Sequence, residues 1–153
     1  MSRILLDTHT LIWMVSDESQ LGDWARDMLF ESELTKLVSP ATYWEMAIKV
    51  KTGKLSLTSD YDEFFRRAIE VYDLNVLHVQ IHHTSILTSL ELYHRDPFDR
   101  LLIAQATVED IPIVSIDTAF DPYPVSRIWS YAMRNEVEGN ESDVDLDGED
   151  GNE

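Results

Sequence analysis

Short apolar segments alternate with segments of helical periodicity along this chain, and this alternation restricts its fold more than any other feature. Strands are predicted at residues 4–6 and 112–117, with shorter candidates at 37–39 and 76–79 and a last apolar piece at 125–131. The helices predicted between them cover residues 8–16, 21–33, 41–51, 61–72, 82–92 and 100–109. Strands that alternate with helices in this way predict an α/β fold, in which a parallel sheet carries helices on both faces.

Two aspartates close the two clearest strands, Asp7 after the first and Asp117 at the end of the last. Because ligands bind beyond the carboxyl ends of parallel strands, we expect these two side chains to meet there. Glu45 and Asp99 stand in helical segments between them and are candidates for the same place. Crowded carboxylates raise one another's pKa, so a fold that gathers them usually holds a hard divalent cation. The four acids together predict a metal-dependent phosphodiesterase.

Three of these acids also have a simpler structural explanation, and the sequence leaves both open. Asp7 is placed to cap the helix that begins near Thr8, although Thr8 is itself a suitable cap residue. Glu45 stands four residues before Lys49, which predicts an ordinary surface ion pair worth about 0.3–0.5 kcal/mol. Asp117 fits an Asx-turn with the residues that follow it.

Asp96 and Asp99 stand three residues apart, in the string Asp-Pro-Phe-Asp at the start of a predicted helix. An acid followed by proline is typical of an N-cap with proline at the first helical position, so we assign Asp96 to capping. Asp99 lies on the helix itself and is assigned to the metal. A contact between Asp96 and the metal through water stays open as an alternative. Together with Asp96, the hydroxyl residues Thr8 and Ser115 are expected to support the metal ligands by hydrogen bonds.

The net charge of −17 is concentrated at the C-terminal end of the chain. Residues 135–153 contain nine Asp or Glu and no Lys or Arg, which predicts a disordered tail. Such a tail is either solubilising or an electrostatic partner for a basic surface. The remaining residues, 1–134, are expected to form one domain. Its acidic balance disfavours non-specific binding of nucleic acid, unless a bound metal and local basic residues reverse the field.

Three basic residues close to the acids, Lys49, Lys51 and Arg100, are the candidates for contacts with RNA phosphates. The chain contains no cysteine, which excludes disulfides and thiolate metal ligands. No apolar run approaches the roughly 20 residues that span a membrane, and the N-terminus lacks the pattern of a signal peptide. We therefore expect a cytoplasmic protein that has no membrane partner.

Four motifs resemble those of PIN-domain proteins, and most closely the VapC-like toxins of type II toxin–antitoxin pairs. They lie in residues 5–11, 39–55, 94–105 and 113–120, and the resemblance covers roughly residues 3–131. It implies a three-layer α/β/α sandwich with a central parallel sheet of about five strands. It also implies Mg²⁺- or Mn²⁺-dependent cleavage of RNA, a cognate antitoxin as partner and, commonly, a homodimer.

Carried over by position, the resemblance makes Asp7 and Asp99 the principal metal ligands, with Glu45 and Asp117 completing the acidic pocket. Either Glu45 or Asp117 would orient the attacking water, and the sequence does not choose between them. The family pattern does not require the acidic tail after Arg134. Two other functions stay open: a non-catalytic α/β module that binds a protein partner, and a DNA- or flap-directed nuclease of related fold.

Overall fold

A computed structural model of the chain describes residues 2–31 and 33–130, which contain one five-stranded sheet. The strands are β1 (Ser2–Leu6), β2 (Leu34–Val38), β3 (Leu74–Val76), β4 (Ile113–Val114) and β5 (Arg127–Ile128). The helices are α1 (Thr8–Ser16), α2 (Asp23–Leu29), α3 (Pro40–Lys51), α4 (Tyr61–Glu70), α5 (Ile81–Leu87) and α6 (Pro97–Glu109). The strand order is β3-β2-β1-β4-β5, and all neighbours are parallel. The predicted parallel α/β fold is confirmed, and the predicted tail, residues 135–153, lies outside the described residues.

The sheet separates two hydrophobic cores, because successive side chains of a strand point to opposite faces. On one face, Ile4 and Leu6 of β1 belong to a core that includes residues of α1, α2 and α4, such as Phe64. On the other face, Leu5 belongs to a core that includes Ile103 and other residues of α6. The sheet therefore forms the middle layer of an α/β/α sandwich. None of the helices in the described part of the chain has the length and hydrophobicity that crossing a bilayer requires.

The order of the strands places a switch point beside β1, the central strand. The chain adds β2 and β3 on one side of β1, and then β4 and β5 on the other. Leu6 of β1 is in register with Val114 of β4, so the residues that follow them, Asp7 and Ser115, come to the same edge of the sheet. In parallel sheets a crevice that binds ligands forms at such a switch point.

The strands differ from the predicted ones where polar residues interrupt the apolar pattern. The candidate at 37–39 is longer in the structure, because Thr35 and Lys36 also pair with β1. Of the strand predicted at 112–117, Ile113 and Val114 form β4, and the flanking Pro112 and Ser115 each add one backbone hydrogen bond to a neighbouring strand. The pairing ends there because the N–H of Asp117 donates to Ser115 Oγ, which turns the backbone out of the sheet.

The helix predicted at 82–92 ends early, at Leu87, and this shortening creates the α5–α6 loop (residues 88–96). The hydroxyls of Thr88 and Ser89 donate to carbonyl oxygens three residues earlier in the chain. Such bonds from side chain to backbone compete with helix continuation. The loop leads to the N-terminus of α6 at the carboxyl edge of the sheet.

Candidate metal centre

Asp7 follows β1 and begins α1. Its Oδ1 accepts a hydrogen bond from the N–H of Thr10 at 2.8 Å, so it is the N-cap of the helix. Its Oδ2 accepts a hydrogen bond from Ser115 Oγ. Burial raises the pKa of Asp7 and outweighs these hydrogen bonds, which act in the opposite direction. The capping explanation and the site explanation are therefore compatible, because each carboxylate oxygen retains a lone pair for a further partner.

Ser115 connects the ends of the two central strands. Its hydroxyl donates to Asp7 and accepts the N–H of Asp117 at 2.9 Å. Asp117 in turn caps the short 3₁₀ helix Thr118–Phe120, with Oδ1 accepting the N–H of Ala119 at 2.9 Å. The Asx-turn considered for Asp117 is thus present, and it holds an exposed carboxylate beside the crevice.

Glu45 lies on the buried side of α3, with both carboxylate oxygens engaged. Oε1 accepts a hydrogen bond from Thr8 Oγ1 at 2.8 Å, and Oε2 lies 2.9 Å from Lys49 Nζ. The predicted ion pair with Lys49 is present, but it is not an ordinary surface pair, because the side chain of Glu45 is only 7% exposed. The pair therefore holds a buried carboxylate that Thr8 supports from α1.

Asp99 lies in the first turn of α6, and its surroundings raise its pKa from 3.8 to about 7. Burial is the largest cause. The negative charges of Asp96, Glu45, Asp7 and Asp117 follow, in that order. All four acids selected from the sequence are therefore close enough for their charges to act on Asp99, although among the described residues only Asp99 and Asp117 of the four belong to a group of ligand atoms within 4.8 Å of one another.

Asp96 is the N-cap of α6, as its sequence pattern predicts. Its Oδ1 accepts the N–H groups of Phe98 at 2.8 Å and of Asp99 at 3.3 Å, and Pro97 occupies the first turn. The contact of Asp96 with a metal through water stays a prediction. Its charge nevertheless contributes to the raised pKa of Asp99.

His94 was not selected from the sequence, although it lies in the pocket. Its Nε2 is 3.1 Å from Asp99 Oδ2. One ligand atom each of His94, Asp99 and Asp117 lie within 4.8 Å of one another. The histidines of this chain show no metal-binding spacing, so the signals for His94 were its position two residues before the capping Asp96 and its place at the start of the motif at residues 94–105.

The three basic residues proposed for RNA contact have different surroundings. Arg100 donates to the carbonyl oxygens of Glu91 at 2.7 Å and Leu90 at 3.0 Å, so its guanidinium holds the α5–α6 loop. This geometry gives no support to a contact between Arg100 and RNA. Lys49 is paired with Glu45, whereas Lys51 is exposed and has no ion pair within residues 2–31 and 33–130.

An aromatic residue directly precedes each of the two helical acids. Trp44 comes before Glu45 on α3, and Phe98 comes before Asp99 on α6. Their ring centroids lie 5.2 Å apart at an interplanar angle of 87°, an edge-to-face contact between the two helices. Trp44 is 63% exposed, so an aromatic surface borders the acidic pocket.

The residues of the pocket fit a hard divalent cation. The candidate ligands are carboxylates, the donor type that Mg²⁺ and Mn²⁺ prefer. Their mutual repulsion contributes to the raised pKa of Asp99, and a cation between them would relieve it. Lys49 provides the single Lys or Arg ion pair to these four acids in the described part of the chain.

Comparisons with known proteins agree with this architecture. Residues 4–125 match the family model described as PIN domain. A comparison with curated proteins found no match. Among solved structures, the chain is similar to VapBC2 from Rickettsia felis bound to a DNA fragment from its promoter, with a TM-score of 0.62, 14% identity and coverage of 84% of this chain and 99% of that chain.

Two further solved structures share the fold. FitAB bound to an IR36 DNA fragment gives a TM-score of 0.57 at 17% identity, covering 83% of this chain and 96% of that chain. VapBC-1 from nontypeable Haemophilus influenzae gives a TM-score of 0.50 at 16% identity, covering 76% of this chain and 87% of that chain. At these identities the similarity is one of fold.

Proposed function

The chain belongs to the PIN-domain family, and on this premise we propose that it is a Mg²⁺- or Mn²⁺-dependent endoribonuclease that acts as the toxin of a VapBC-type pair. The observation that carries the proposal is the convergence of Asp7, Glu45, Asp99 and Asp117 at the switch point of the sheet. A pocket of four carboxylates that pairs with a single lysine of the described residues is costly to fold, and a function in cation binding explains why it is there.

In the proposed site, Asp7 and Asp99 hold the cation, and Glu45 and Asp117 complete its surroundings. A bound divalent cation supplies Lewis acidity to the scissile phosphate and lowers the pKa of water. The chain contributes preorganisation, since Ser115 fixes one oxygen of Asp7 and Thr8 fixes one oxygen of Glu45. Ligand oxygens held in this way need not reorient when the cation and the phosphate arrive.

We assign the orientation of the attacking water to Asp117 rather than Glu45. Glu45 is buried and forms an ion pair with Lys49 on Oε2 besides the hydrogen bond from Thr8 on Oε1, and a neighbouring cation makes a carboxylate a weaker proton acceptor. Asp117 uses Oδ1 for Ala119, whereas its Oδ2 accepts no hydrogen bond from the described residues. An exposed carboxylate with one oxygen available is the better acceptor for the proton of a water molecule.

The proposed substrate is RNA with unpaired bases. The exposed ring of Trp44 beside the pocket supports this choice, because unstacked bases bind to aromatic faces. The acidic balance of the chain supports it as well, since bulk attraction for duplex phosphates is weak. The proposed protein partners are a cognate antitoxin and a second copy of the chain, by similarity of fold to chains of VapBC and FitAB.

The direct test is cleavage of a stem-loop RNA by the purified chain. The wild-type protein should cleave the loop in the presence of Mg²⁺ or Mn²⁺ and stop when EDTA is added. Asp7→Asn keeps the size and the capping acceptor but loses the charge, so cleavage should fall about a thousandfold while the protein stays folded. Asp62→Asn, on the exposed first turn of α4, is the matched control and should cleave normally.

Each alternative function has its own outcome in this test. Normal cleavage by Asp7→Asn would refute the assignment of the metal site. Preferential cleavage of DNA or of flap substrates would favour the related nuclease. If the wild type neither cleaves nor binds metal, the non-catalytic binding module is favoured. The role as a toxin is tested separately: expression in a bacterial host should arrest growth for the wild type but not for Asp7→Asn.

A further inference from the structure

The backbone of His94 is held in place by two residues outside the α5–α6 loop. Its N–H donates to Tyr123 Oη at 2.7 Å, and that hydroxyl donates to the carbonyl of Glu91 at 2.9 Å. Arg100 donates to the carbonyl of His94 at 3.3 Å. The imidazole also packs near the ring of Phe120, with centroids 6.5 Å apart. Since both its backbone and its ring have fixed partners, His94 presents its imidazole in one orientation.

The hydrogen bonds of the ring determine which nitrogen carries the hydrogen. Nδ1 accepts the backbone N–H of Asp96 at 3.1 Å, so Nδ1 bears a lone pair. The hydrogen of the neutral imidazole is then on Nε2, which is 3.1 Å from Asp99 Oδ2. His94 therefore donates a hydrogen bond to Asp99 through Nε2–H.

This tautomer is incompatible with His94 as a metal ligand. Coordination by Nε2 requires a lone pair on that atom, which moves the hydrogen of the neutral ring to Nδ1. An Nδ1–H would then oppose the N–H of Asp96, and two donors would face each other. The three ligand atoms of His94, Asp99 and Asp117 are close together, but the nitrogen is a donor rather than a ligand. Oxygen ligands alone select a hard cation over zinc.

We propose that His94 is a positioning residue that holds Oδ2 of Asp99 by its Nε2–H and so directs Oδ1 toward the cation. The inference rests on the proposed function, because it assumes that Asp99 is a ligand. Ser115 does the same for Asp7, and Thr8 for Glu45. Within the described residues, His94 is the single donor to the side chain of Asp99. Without this donor the carboxylate would rotate freely, and metal affinity would fall.

Two substitutions test the roles of the two ring nitrogens of His94 separately. His94→Gln places an amide N–H about where Nε2 lies and so keeps the donor to Asp99. His94→Asn places its polar atoms near Nδ1, keeps an acceptor for Asp96 and loses the donor to Asp99. We expect His94→Asn to bind Mn²⁺ about 10–100-fold more weakly than the wild type, and His94→Gln to stay within about threefold. His78→Asn, the same change at an exposed histidine outside both potential ligand clusters, is the control and should bind normally.

The measurements are calorimetric titration of the metal-free variants with MnCl₂ and nitrogen NMR shifts of the wild-type imidazoles, assigned by the loss of a signal in His94→Gln. The shifts report the tautomer of His94 even if His94→Asn fails to fold. Normal Mn²⁺ affinity in His94→Asn, equal losses in both variants, or an Nδ1–H tautomer would each overturn the inference. If the Mn²⁺ affinities of the wild type and the two His94 variants follow the expected order but the wild type cleaves no RNA, the proposed function fails and the positioning role stands.

Discussion

The two ends of α6 carry the same arrangement of a histidine and a carboxylate, in opposite electrostatic surroundings. In both pairs Nδ1 accepts a backbone N–H and Nε2 faces the carboxylate, at 3.1 Å for His94 and Asp99 and at 2.8 Å for His83 and Glu109. The pKa of Asp99 is raised to about 7, whereas that of Glu109 is lowered. The same pair of side chains therefore gives opposite results at the two ends of one helix.

The difference comes from neighbouring groups and not from the helix. The helix dipole would favour the charged form of an acid at the N-terminus and disfavour it at the C-terminus, which is the reverse of what is found. The hydrogen bond from His83 is the main cause of the lowered pKa of Glu109, and Arg3 at 3.4 Å adds to it. Asp99 is half-buried among further acids and pairs with no Lys or Arg of the described residues.

The comparison shows which of two potential ligand clusters needs a cation from solution. His82, His83 and Glu109 also have ligand atoms within 4.8 Å of one another. In that cluster the carboxylate already has its counter-charge inside the chain, from Arg3. At the other end of α6, around Asp99, the counter-charge is missing from the described residues, so that end is the candidate metal site.

The largest expected difference between the two ends of α6 is in RNA cleavage, measured after one carboxylate at a time is removed. Asp99→Asn should lower the metal-dependent rate about a thousandfold, because several kcal/mol of transition-state stabilisation depend on the cation. Glu109→Gln should cleave within about twofold of the wild type. Equal losses in the two variants would mean that the ends of α6 do not differ in function.

Metal binding should stabilise the fold through the Asp99 end of α6 and not through the Glu109 end. At a Mn²⁺ concentration about 100 times the dissociation constant, the wild type should gain about 2.7 kcal/mol, which is several degrees in melting temperature. Glu109→Gln should show a gain of the same size, and Asp99→Asn should lose most of it. Thermal melting with and without MnCl₂ measures these differences. A gain in Asp99→Asn as large as in the wild type would place the cation elsewhere.

Without metal, the two substitutions should change stability in opposite directions. Glu109→Gln weakens the bond to the fully buried His83 and breaks the ion pair with Arg3, so it should cost about 1–3 kcal/mol. Above about pH 7, where Asp99 is charged, Asp99→Asn removes a charge from a crowded pocket and should raise the melting temperature. Denaturant unfolding of both variants in EDTA measures these changes in stability. If Asp99→Asn is less stable than the wild type, repulsion among the carboxylates does not explain the raised pKa of Asp99.

The smallest effect is the pH dependence of the metal-free protein. In the folded state Asp99 keeps its proton up to about pH 7, but in the unfolded chain only to about its ordinary pKa of 3.8. Stability should therefore fall as the pH rises between these values, by about 1–2 kcal/mol at this partly exposed group. Asp99→Asn should reduce the slope without abolishing it, because the raised pKa of Asp7 acts in the same direction.

Glu109 should show the opposite pH dependence. Its pKa in the folded state lies below the ordinary value of 4.5, so its contribution is complete above that value and is lost as the pH falls through the lowered pKa. Glu109→Gln should therefore be nearly as stable as the wild type at low pH and clearly less stable at pH 6. Unfolding curves at several pH values, in EDTA, separate the two carboxylates.

The meeting of Asp7 and Asp117 could be predicted from local sequence, because each follows an apolar run and parallel strands end at one edge of a sheet. A hydrogen bond from Ser115 that supports the metal ligands was also predicted. That Asp7 is both helix cap and candidate metal ligand could not be predicted, since its two oxygens accept hydrogen bonds from partners 3 and 108 residues away along the chain. Local sequence patterns identify candidate residues. Which donor each oxygen of a carboxylate accepts a hydrogen bond from is decided only in the folded chain.

Arg100 and His94 show what sequence patterns could not reveal. Arg100 was predicted to contact RNA because it is basic and follows Asp99, but its donors are used by carbonyl oxygens of the α5–α6 loop. That loop exists because α5 ends at Leu87, where polar residues compete with the helix. The same loop brings His94 to Asp99. The contacts of Arg100 and the position of His94 therefore both depend on the early end of α5, which hydrophobic periodicity does not show.

The hydrogen bond between Asp7 and Ser115 has a consequence for synthesis on the ribosome. Asp7 is translated more than a hundred residues before β4, its neighbour in the sheet. A nascent chain that stops before residue 113 carries Glu45 and Asp99 but has neither Ser115 nor Asp117 beside them. The proposed metal site is therefore incomplete until β4 and the residues that follow it have been made.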